Sequence, residues 1–229
     1  MKILESNTIS VNGNANVHFI RLDPEDISVT LRNILTALMD LSWLKRFDPE
    51  PLAISFQVRA EKTISDIKEK FDNCDDGKLT KDAGEYVVSE LSREAIVSDL
   101  GYLDIPLAEL IGKKVSGNPG FDFFSQNNAT DTVIFGEAKF ISSSSAYSRA
   151  LQQIRSFLAE EKDITDLGDL EHFCSPESLQ RVICGKKGFA AAFSAKSTTS
   201  NRIIKSITSN SDFKDLLQYE EIILVAVNI

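Results

Sequence analysis

Hydrophobic and polar residues recur along this chain with two different periods, and each change of period marks a predicted element. Val17 to Leu22 has the pattern of a strand, and Asp23 to Asp26 supplies the proline and the acids expected where a helix begins. Apolar residues then follow at helical spacing as far as Leu44. Leu52 to Val58 alternates like a second strand, and Ile64 to Phe71 predicts a short helix.

The second part of the chain continues this mixture of helices and strands. Asp82 to Leu100 has helical spacing and stops at Gly101, where a glycine is expected to end a helix. The pattern then predicts the following elements: strands Phe121 to Phe124, Thr132 to Phe140, Gly188 to Ser194 and Glu221 to Ile229, and helices Ser142 to Glu161, Pro176 to Cys184 and Ser211 to Leu217. This order predicts a mixed α/β arrangement of layers.

The composition is that of a globular protein with one internal break. The chain has 229 residues, of which 42% are hydrophobic and 26% charged. The polar run from Asn73 to Gly77 favours a boundary between an N-terminal α/β elaboration, residues 1–79, and a core, residues 80–229. No apolar run approaches the roughly 20 residues of a membrane helix, and the N-terminus lacks a signal-peptide core, so we expect a cytoplasmic protein.

The net charge of −9 counts against a protein that binds DNA tightly by itself, because such proteins usually carry a basic surface. The charge does not exclude an enzyme whose groove is locally basic. Nor does it exclude a subunit that receives its substrate from a partner.

Three charged residues interrupt apolar sequence and carry the candidate chemistry. Glu137 and Lys139 are two residues apart on a predicted strand, so both side chains project from the same face. Asp122 lies on the preceding strand, and a hairpin would bring it beside Glu137. Two converging carboxylates repel each other unless a cation lies between them, and oxygen ligands suit Mg²⁺ or Mn²⁺.

A lysine beside such a metal site can orient a water molecule or stabilise a phosphate. The bound metal ion would activate water and neutralise the charge that develops on phosphorus. Asp122, Glu137 and Lys139 together therefore favour metal-assisted hydrolysis of phosphodiester bonds.

The order of these residues resembles the PD-(D/E)xK nuclease superfamily, with Gly120-Phe121-Asp122-Phe123 followed by Gly136-Glu137-Ala138-Lys139. The resemblance implies a restriction-endonuclease-like core with a central mixed sheet flanked by helices. It implies that Asp122 and Glu137 bind the metal ion, that the Ala138 carbonyl adds a ligand, and that Lys139 positions or activates water.

Members of this superfamily place a glutamate on the helix before these strands. That helix is Asp82 to Leu100, and the distance to its glycine-aromatic end favours Glu90, with Glu94 in reserve. Helical geometry places the exposed side at Glu85, Ser92, Arg93 and Asp99, so that Glu94 points most directly inward and Glu90 lies close beside it.

The helix after the second strand carries a further resemblance. Gln153 to Phe157 is similar to the Gln-apolar-x-x-Tyr element of the exonuclease-type branch, with Phe157 where tyrosine is usual. Gln153 and Arg149 are four residues apart, so both can face the phosphate backbone of the substrate.

A longer stretch, from "GEYVVSELSREAIVSDLGY" to "VIFGEAKF", resembles HamA, the nuclease effectors of Hachiman anti-phage defence systems. That resemblance implies a complex with a HamB-like helicase subunit and degradation of DNA once the helicase senses an aberrant substrate. Two alternatives stay open. One is a catalytically silent subunit that keeps the fold for DNA binding or regulation, and the other is a restriction or repair nuclease outside phage defence.

Overall fold

The computed structural model describes residues 1–48, 50–74, 78–112, 120–195 and 198–229. The last three residues of the polar run that predicts the boundary, residues 75–77, lie outside these ranges.

A six-stranded mixed sheet forms the centre of the described chain, with the strand order β1-β2-β6-β5-β4-β3. Its strands are β1 Lys2–Ile9, β2 Asn16–Asp23, β3 Phe123–Asn127, β4 Thr132–Lys139, β5 Gly188–Ala195 and β6 Glu221–Asn228. The pairs β2–β6, β6–β5 and β5–β4 are parallel, and the outer pairs β1–β2 and β4–β3 are antiparallel. All eight residues of β5 are buried, as expected for a parallel strand covered on both faces.

Helices flank this sheet, so the predicted mixed α/β class is confirmed. The ten α-helices among the described residues are α1 Ile27–Met39, α2 Glu50–Asp72, α3 Lys81–Leu100, α4 Ala108–Ile111, α5 Tyr147–Ala159, α6 Lys162–Thr165, α7 Leu167–Leu170, α8 Pro176–Ile183, α9 Ser200–Ser209 and α10 Ser211–Leu216. A 3-10 helix, Ser42–Arg46, lies between α1 and α2. None of the described helices combines the length and the apolar character needed to cross a membrane.

Helix α3 begins and ends where its sequence predicts. The Thr80 side chain accepts a hydrogen bond from the amide of Ala83 at the N-terminus, at 3.3 Å. Gly101 ends the helix with φ of 70°, a left-handed conformation that glycine adopts without a steric penalty.

The prediction of a strand over Leu52 to Val58 is wrong, because this stretch belongs to α2. Phe56 and Ala60 are buried one turn apart, while Ile54 and Val58 are 51% and 63% exposed. These apolar residues occupy two sides of a helix, and over seven residues that arrangement imitates the alternation of a strand. The sequence pattern also missed β1 and α9, whose residues are largely polar.

The first segment of the chain contributes two strands to the same sheet. β2 pairs with β6 in parallel over seven residue pairs, from Asn16 with Glu221 to Leu22 with Val227. The central sheet is therefore built from both sides of the predicted boundary. The division into residues 1–79 and 80–229 stays a prediction.

Candidate functional site

Asp122 is fixed against β4 by main-chain hydrogen bonds. It lies one residue before β3 rather than within a strand, yet its amide donates to the Gly136 carbonyl at 2.8 Å. Its carboxylate oxygen Oδ2 accepts a hydrogen bond from the Ala138 amide at 2.7 Å. Because Ala138 lies between Glu137 and Lys139, this bond places the Asp122 carboxylate beside both residues. The predicted convergence of Asp122 with Glu137 and Lys139 is confirmed.

Glu137 and Lys139 form an ion pair on one face of β4. The Lys139 ammonium donates to Glu137 Oε1 at 2.5 Å. Glu137 is 1% exposed, and no described residue donates a hydrogen bond to its second oxygen, Oε2. A buried carboxylate oxygen without a donor is costly, so this atom is a ready acceptor for a cation.

Burial and the neighbouring charges together determine the pKa values of this pair. Burial raises the pKa of Glu137 well above its ordinary value, and the charge of Asp122 raises it further, while Lys139 lowers it. Burial alone would lower the pKa of Lys139, but the carboxylates of Glu137 and Asp122 raise it overall. Lys139 therefore stays protonated, and the site contains more carboxylate than one ammonium group balances.

Helix α3 brings a different carboxylate to this site from those predicted. Glu85 lines the same cleft as Lys139. Burial raises the pKa of Glu85, Lys139 and Lys81 lower it, and Asp122 raises it. The sequence pattern placed Glu85 on the exposed side of the helix, and that prediction is wrong.

The neighbouring residue explains why α3 approaches so closely. A Cβ atom on Gly84 would lie 2.3 Å from Cγ of Phe140, the residue that follows β4. Only glycine lets the helix backbone rest on this ring, and the contact places Glu85 next to the end of β4.

The structure places Glu90 away from Glu137 and Lys139. Glu90 is 2% exposed and accepts hydrogen bonds from Arg93 Nε at 2.8 Å and Nη2 at 2.7 Å. Arg93 also pairs with Asp104. Glu90 and Arg93 line a separate cavity of about 520 Å³ together with residues of α1, the 3-10 helix and α4.

The prediction that Glu94 points inward is wrong, because Glu94 is exposed, and Ser92, expected on the exposed side, is fully buried. Helix α3 packs against α1 and α2 as well as against the sheet. Its buried surface is therefore too wide to indicate a single inward direction.

A polar cleft of about 480 Å³ opens at the Lys139 end of β4. Its lining residues are Lys81, Glu85, Lys139, Phe140, Arg149, Gln152, Gln153 and Ser156. The predicted substrate-binding residues Arg149 and Gln153 thus lie in one cleft with Lys139. The pattern missed Lys81, Gln152 and Ser156. The spacing of positions 149, 152, 153 and 156 on α5, which gives one helical face, was the available signal.

The residues present fit a divalent cation, although within the described ranges no group of three or more His, Cys, Asp or Glu side chains is arranged to hold one. Asp122 and Glu137 supply two carboxylates, and the Glu137 Oε2 atom has no donor among the described residues. Ala138, the third predicted ligand, follows Glu137, donates its amide to Asp122 and is fully buried. A cation at this point would favour the charged carboxylate and so offset the burial and the charge of Asp122, which both raise the pKa of Glu137.

No family model, curated protein or solved structure matches this chain. The likeness to PD-(D/E)xK nucleases thus consists of the motifs quoted from the sequence. The function is best inferred from the chemistry of the cleft and of the three charged residues at its edge.

Proposed function

We propose that this protein is a divalent-metal-dependent deoxyribonuclease with a restriction-endonuclease-like core. The observation that carries the proposal is the environment of Glu137. Its buried carboxylate has one oxygen bound to Lys139 and the other without a hydrogen-bond donor among the described residues, and Asp122 lies beside it. Evolution rarely buries such a group without a function, because an unsatisfied buried carboxylate destabilises the fold.

Asp122 and Glu137 would hold Mg²⁺ or Mn²⁺, with the Ala138 carbonyl as a further ligand. When bound, the cation would make water a better nucleophile at neutral pH and offset negative charge on the phosphate. Lys139 would orient the attacking water or donate to a phosphate oxygen, since its raised pKa keeps the ammonium group charged.

The other residues of the cleft would position the substrate. Glu85 replaces Glu90 in this proposal as the helix carboxylate, because Glu85 shares the cleft with Lys139 while Glu90 is bound by Arg93. Arg149 and Gln153 of α5 would bind phosphate oxygens on the other side of the cleft.

The resemblance to HamA supports a role as the effector of an anti-phage defence complex with a HamB-like helicase subunit. An acidic nuclease subunit that receives DNA from a helicase would account for the net charge of −9. Copurification with a HamB-like helicase would separate this role from that of a stand-alone restriction or repair nuclease.

Cleavage of plasmid and linear DNA in Mg²⁺ or Mn²⁺ tests the proposal, with and without the helicase and ATP. Glu137→Ala and Lys139→Ala should each abolish cleavage, with a loss of at least about 100-fold, as removal of a charge-stabilising group usually causes. Glu94→Gln is the matched control, because Glu94 is exposed on α3 and should leave cleavage unchanged.

One observation favours the silent-subunit alternative, namely that Glu137 and Lys139 neutralise each other without a metal ion. If folded wild-type protein cleaves no DNA under any of these conditions, with the helicase present, the alternative replaces the nuclease. If both variants fail to fold, the pair is structural.

A further inference from the structure

The charge lining the cleft is opposite to that of the molecule. Among the described lining residues, Lys81, Lys139 and Arg149 are cationic and Glu85 alone is anionic, whereas the whole chain carries −9. At physiological ionic strength charges are screened over about 8 Å, so a ligand in the cleft responds mainly to nearby charges, which include Asp122 and Glu137 at its edge. Positive and negative charges around the cleft are thus close to balanced, and the exposed cations Lys81 and Arg149 are the groups that an anion entering the cleft would meet.

Two of these cations are available to a ligand. Lys139 is held by Glu137, but no side chain of the described residues forms an ion pair or hydrogen bond with the side chain of Lys81 or Arg149. Both residues are exposed. They extend from different helices, α3 and α5, and border the same cleft as Lys139.

The α5 side of the cleft is a polar stripe one helical face wide. Arg149, Gln152, Gln153 and Ser156 lie at spacings of three and four residues, and the seven helical steps from the first to the last cover about 10 Å of helix. Such a row offers hydrogen-bond donors to successive oxygens of a chain-like anion rather than to one small ion.

The cleft offers little that reads bases. Phe140 is the one aromatic residue among the described lining and is 7% exposed, so a base has no open ring surface on which to stack. Base edges in a duplex are read by elements that protrude into a groove, whereas a concave cleft meets the sugar-phosphate backbone first.

We propose that Lys81 and Arg149 bind the phosphate backbone on the two sides of the cleft and that this chain engages nucleic acid without regard to base sequence. The inference rests on the proposed function for the identity of the anion as nucleic acid. It adds Lys81 as a binding residue, and it states that the site does not distinguish one base sequence from another.

The test measures binding of the wild-type chain to fluorescent duplexes in metal-free buffer, where no cleavage occurs, across a series of salt concentrations. One duplex is A·T-rich and the other G·C-rich, of equal length. Lys81→Gln and Arg149→Gln should each reduce the steepness of log K against log salt by about 1, as loss of one phosphate contact does. The wild type should bind the two duplexes equally within about threefold.

Lys186→Gln is the matched control, because Lys186 is exposed just before the amino end of β5, at the opposite end of the sheet from Lys139. Variants of Lys81 and Arg149 that bind like this control would overturn the inference. So would a difference of more than tenfold between the duplexes, or the absence of any binding.

Failure of this inference is distinguishable from failure of the nuclease. Metal-dependent cleavage with unchanged salt dependence in both variants would reject the backbone contacts and keep the enzyme. Binding that depends on Lys81 and Arg149, with no cleavage under any condition, would keep the contacts and reject the enzyme.

Discussion

At the scale of single residues, the environment of each carboxylate distinguishes Glu85 from Glu90 on α3 better than sequence spacing does. Glu85 is partly buried and lies beside an ammonium group and another carboxylate. Glu90 is more deeply buried, but a two-pronged contact with Arg93 satisfies it. Removing one partner of a satisfied buried ion pair is costly, which favours a structural role for Glu90, whereas an imperfectly balanced carboxylate in a cleft is available for chemistry.

Glu85→Gln and Glu90→Gln are therefore expected to change different properties, the first the cleavage rate and the second the stability of the fold. Glu85→Gln should lower the DNA cleavage rate by about 10- to 100-fold, as loss of a supporting group around a metal site does, with little change in stability. Glu90→Gln should leave Arg93 without its buried partner and lower the free energy of unfolding by about 3 kcal/mol. Cleavage rates and urea unfolding curves measure the two effects.

The assignment of Glu85 would be contradicted by the reverse result, with Glu90→Gln abolishing cleavage in a protein of normal stability. Equal loss of cleavage in both variants without unfolding would mean that both carboxylates serve the site.

At the scale of elements, the close packing of α3 on the end of β4 positions the site. Gly84 touches the ring of Phe140, and the next residue on the helix is Glu85. The β3–β4 pair fixes the other side, because Phe124 pairs with Phe135 and the hairpin continues to the main-chain bond between Asp122 and Gly136. The relative placement of a helix and a hairpin thus determines the distance between Glu85 and the residues on β4.

Gly84→Ala tests this dependence. Alanine favours a helix by about 1 kcal/mol over glycine, but here its Cβ would overlap the base of a buried ring, which typically costs about 1 to 3 kcal/mol. We expect a net loss of stability, together with reduced cleavage as α3 moves away from β4. Thermal unfolding and cleavage assays measure both.

Gly168→Ala provides the comparison, because a Cβ at Gly168 meets no atom within 4 Å. That variant should be neutral or slightly more stable than the wild type. If Gly84→Ala behaved in the same way, the contact between α3 and Phe140 would not be a constraint on the site.

At the scale of the whole molecule, the burial of Glu137 is expected to make the stability of the fold depend on pH, and the proposed metal site predicts a dependence on metal ions as well. The pKa of Glu137 is near 4.5 in an unfolded chain, and burial raises it well above that value in the folded protein. Between these two pH values the folded protein holds the extra proton. The stability that protonated Glu137 contributes is thus complete below the pKa of the unfolded chain, and it is lost as the pH rises through the pKa of the folded protein.

Without metal, the wild type should therefore become less stable relative to Glu137→Gln as the pH rises above 4.5. Mg²⁺ or Mn²⁺ at 100 times its dissociation constant should stabilise the wild type by about 2.7 kcal/mol, or roughly 5 to 10 °C in Tm. The variant should show little of this gain. Thermal unfolding in chelator and in metal, from pH 4.5 to 8, measures both effects.

An equal metal-induced rise in Tm for wild type and Glu137→Gln would exclude Glu137 as a metal ligand. A pH dependence that is identical in the two proteins would mean that Glu137 does not titrate in this range.

The sequence by itself determined the elements whose pattern is local. A period of two residues places Glu137 and Lys139 on one face of β4, and a glycine in the left-handed region ends α3 at Gly101. Asp122 could be placed near them because a short polar turn joins consecutive antiparallel strands. These features depend on neighbours within a few residues, which is the range over which a sequence pattern is informative.

Only the tertiary structure decided which side of each helix faces what. α2 has apolar residues on two sides, so its pattern imitates a strand, and α3 is buried by helices and sheet together, so its pattern cannot rank Glu85, Glu90 and Glu94. The parallel pairing of β2 with β6 joins residues some 200 positions apart, and no local pattern encodes it. Burial is a property of the packed chain, and the chemistry at Glu137 follows from it.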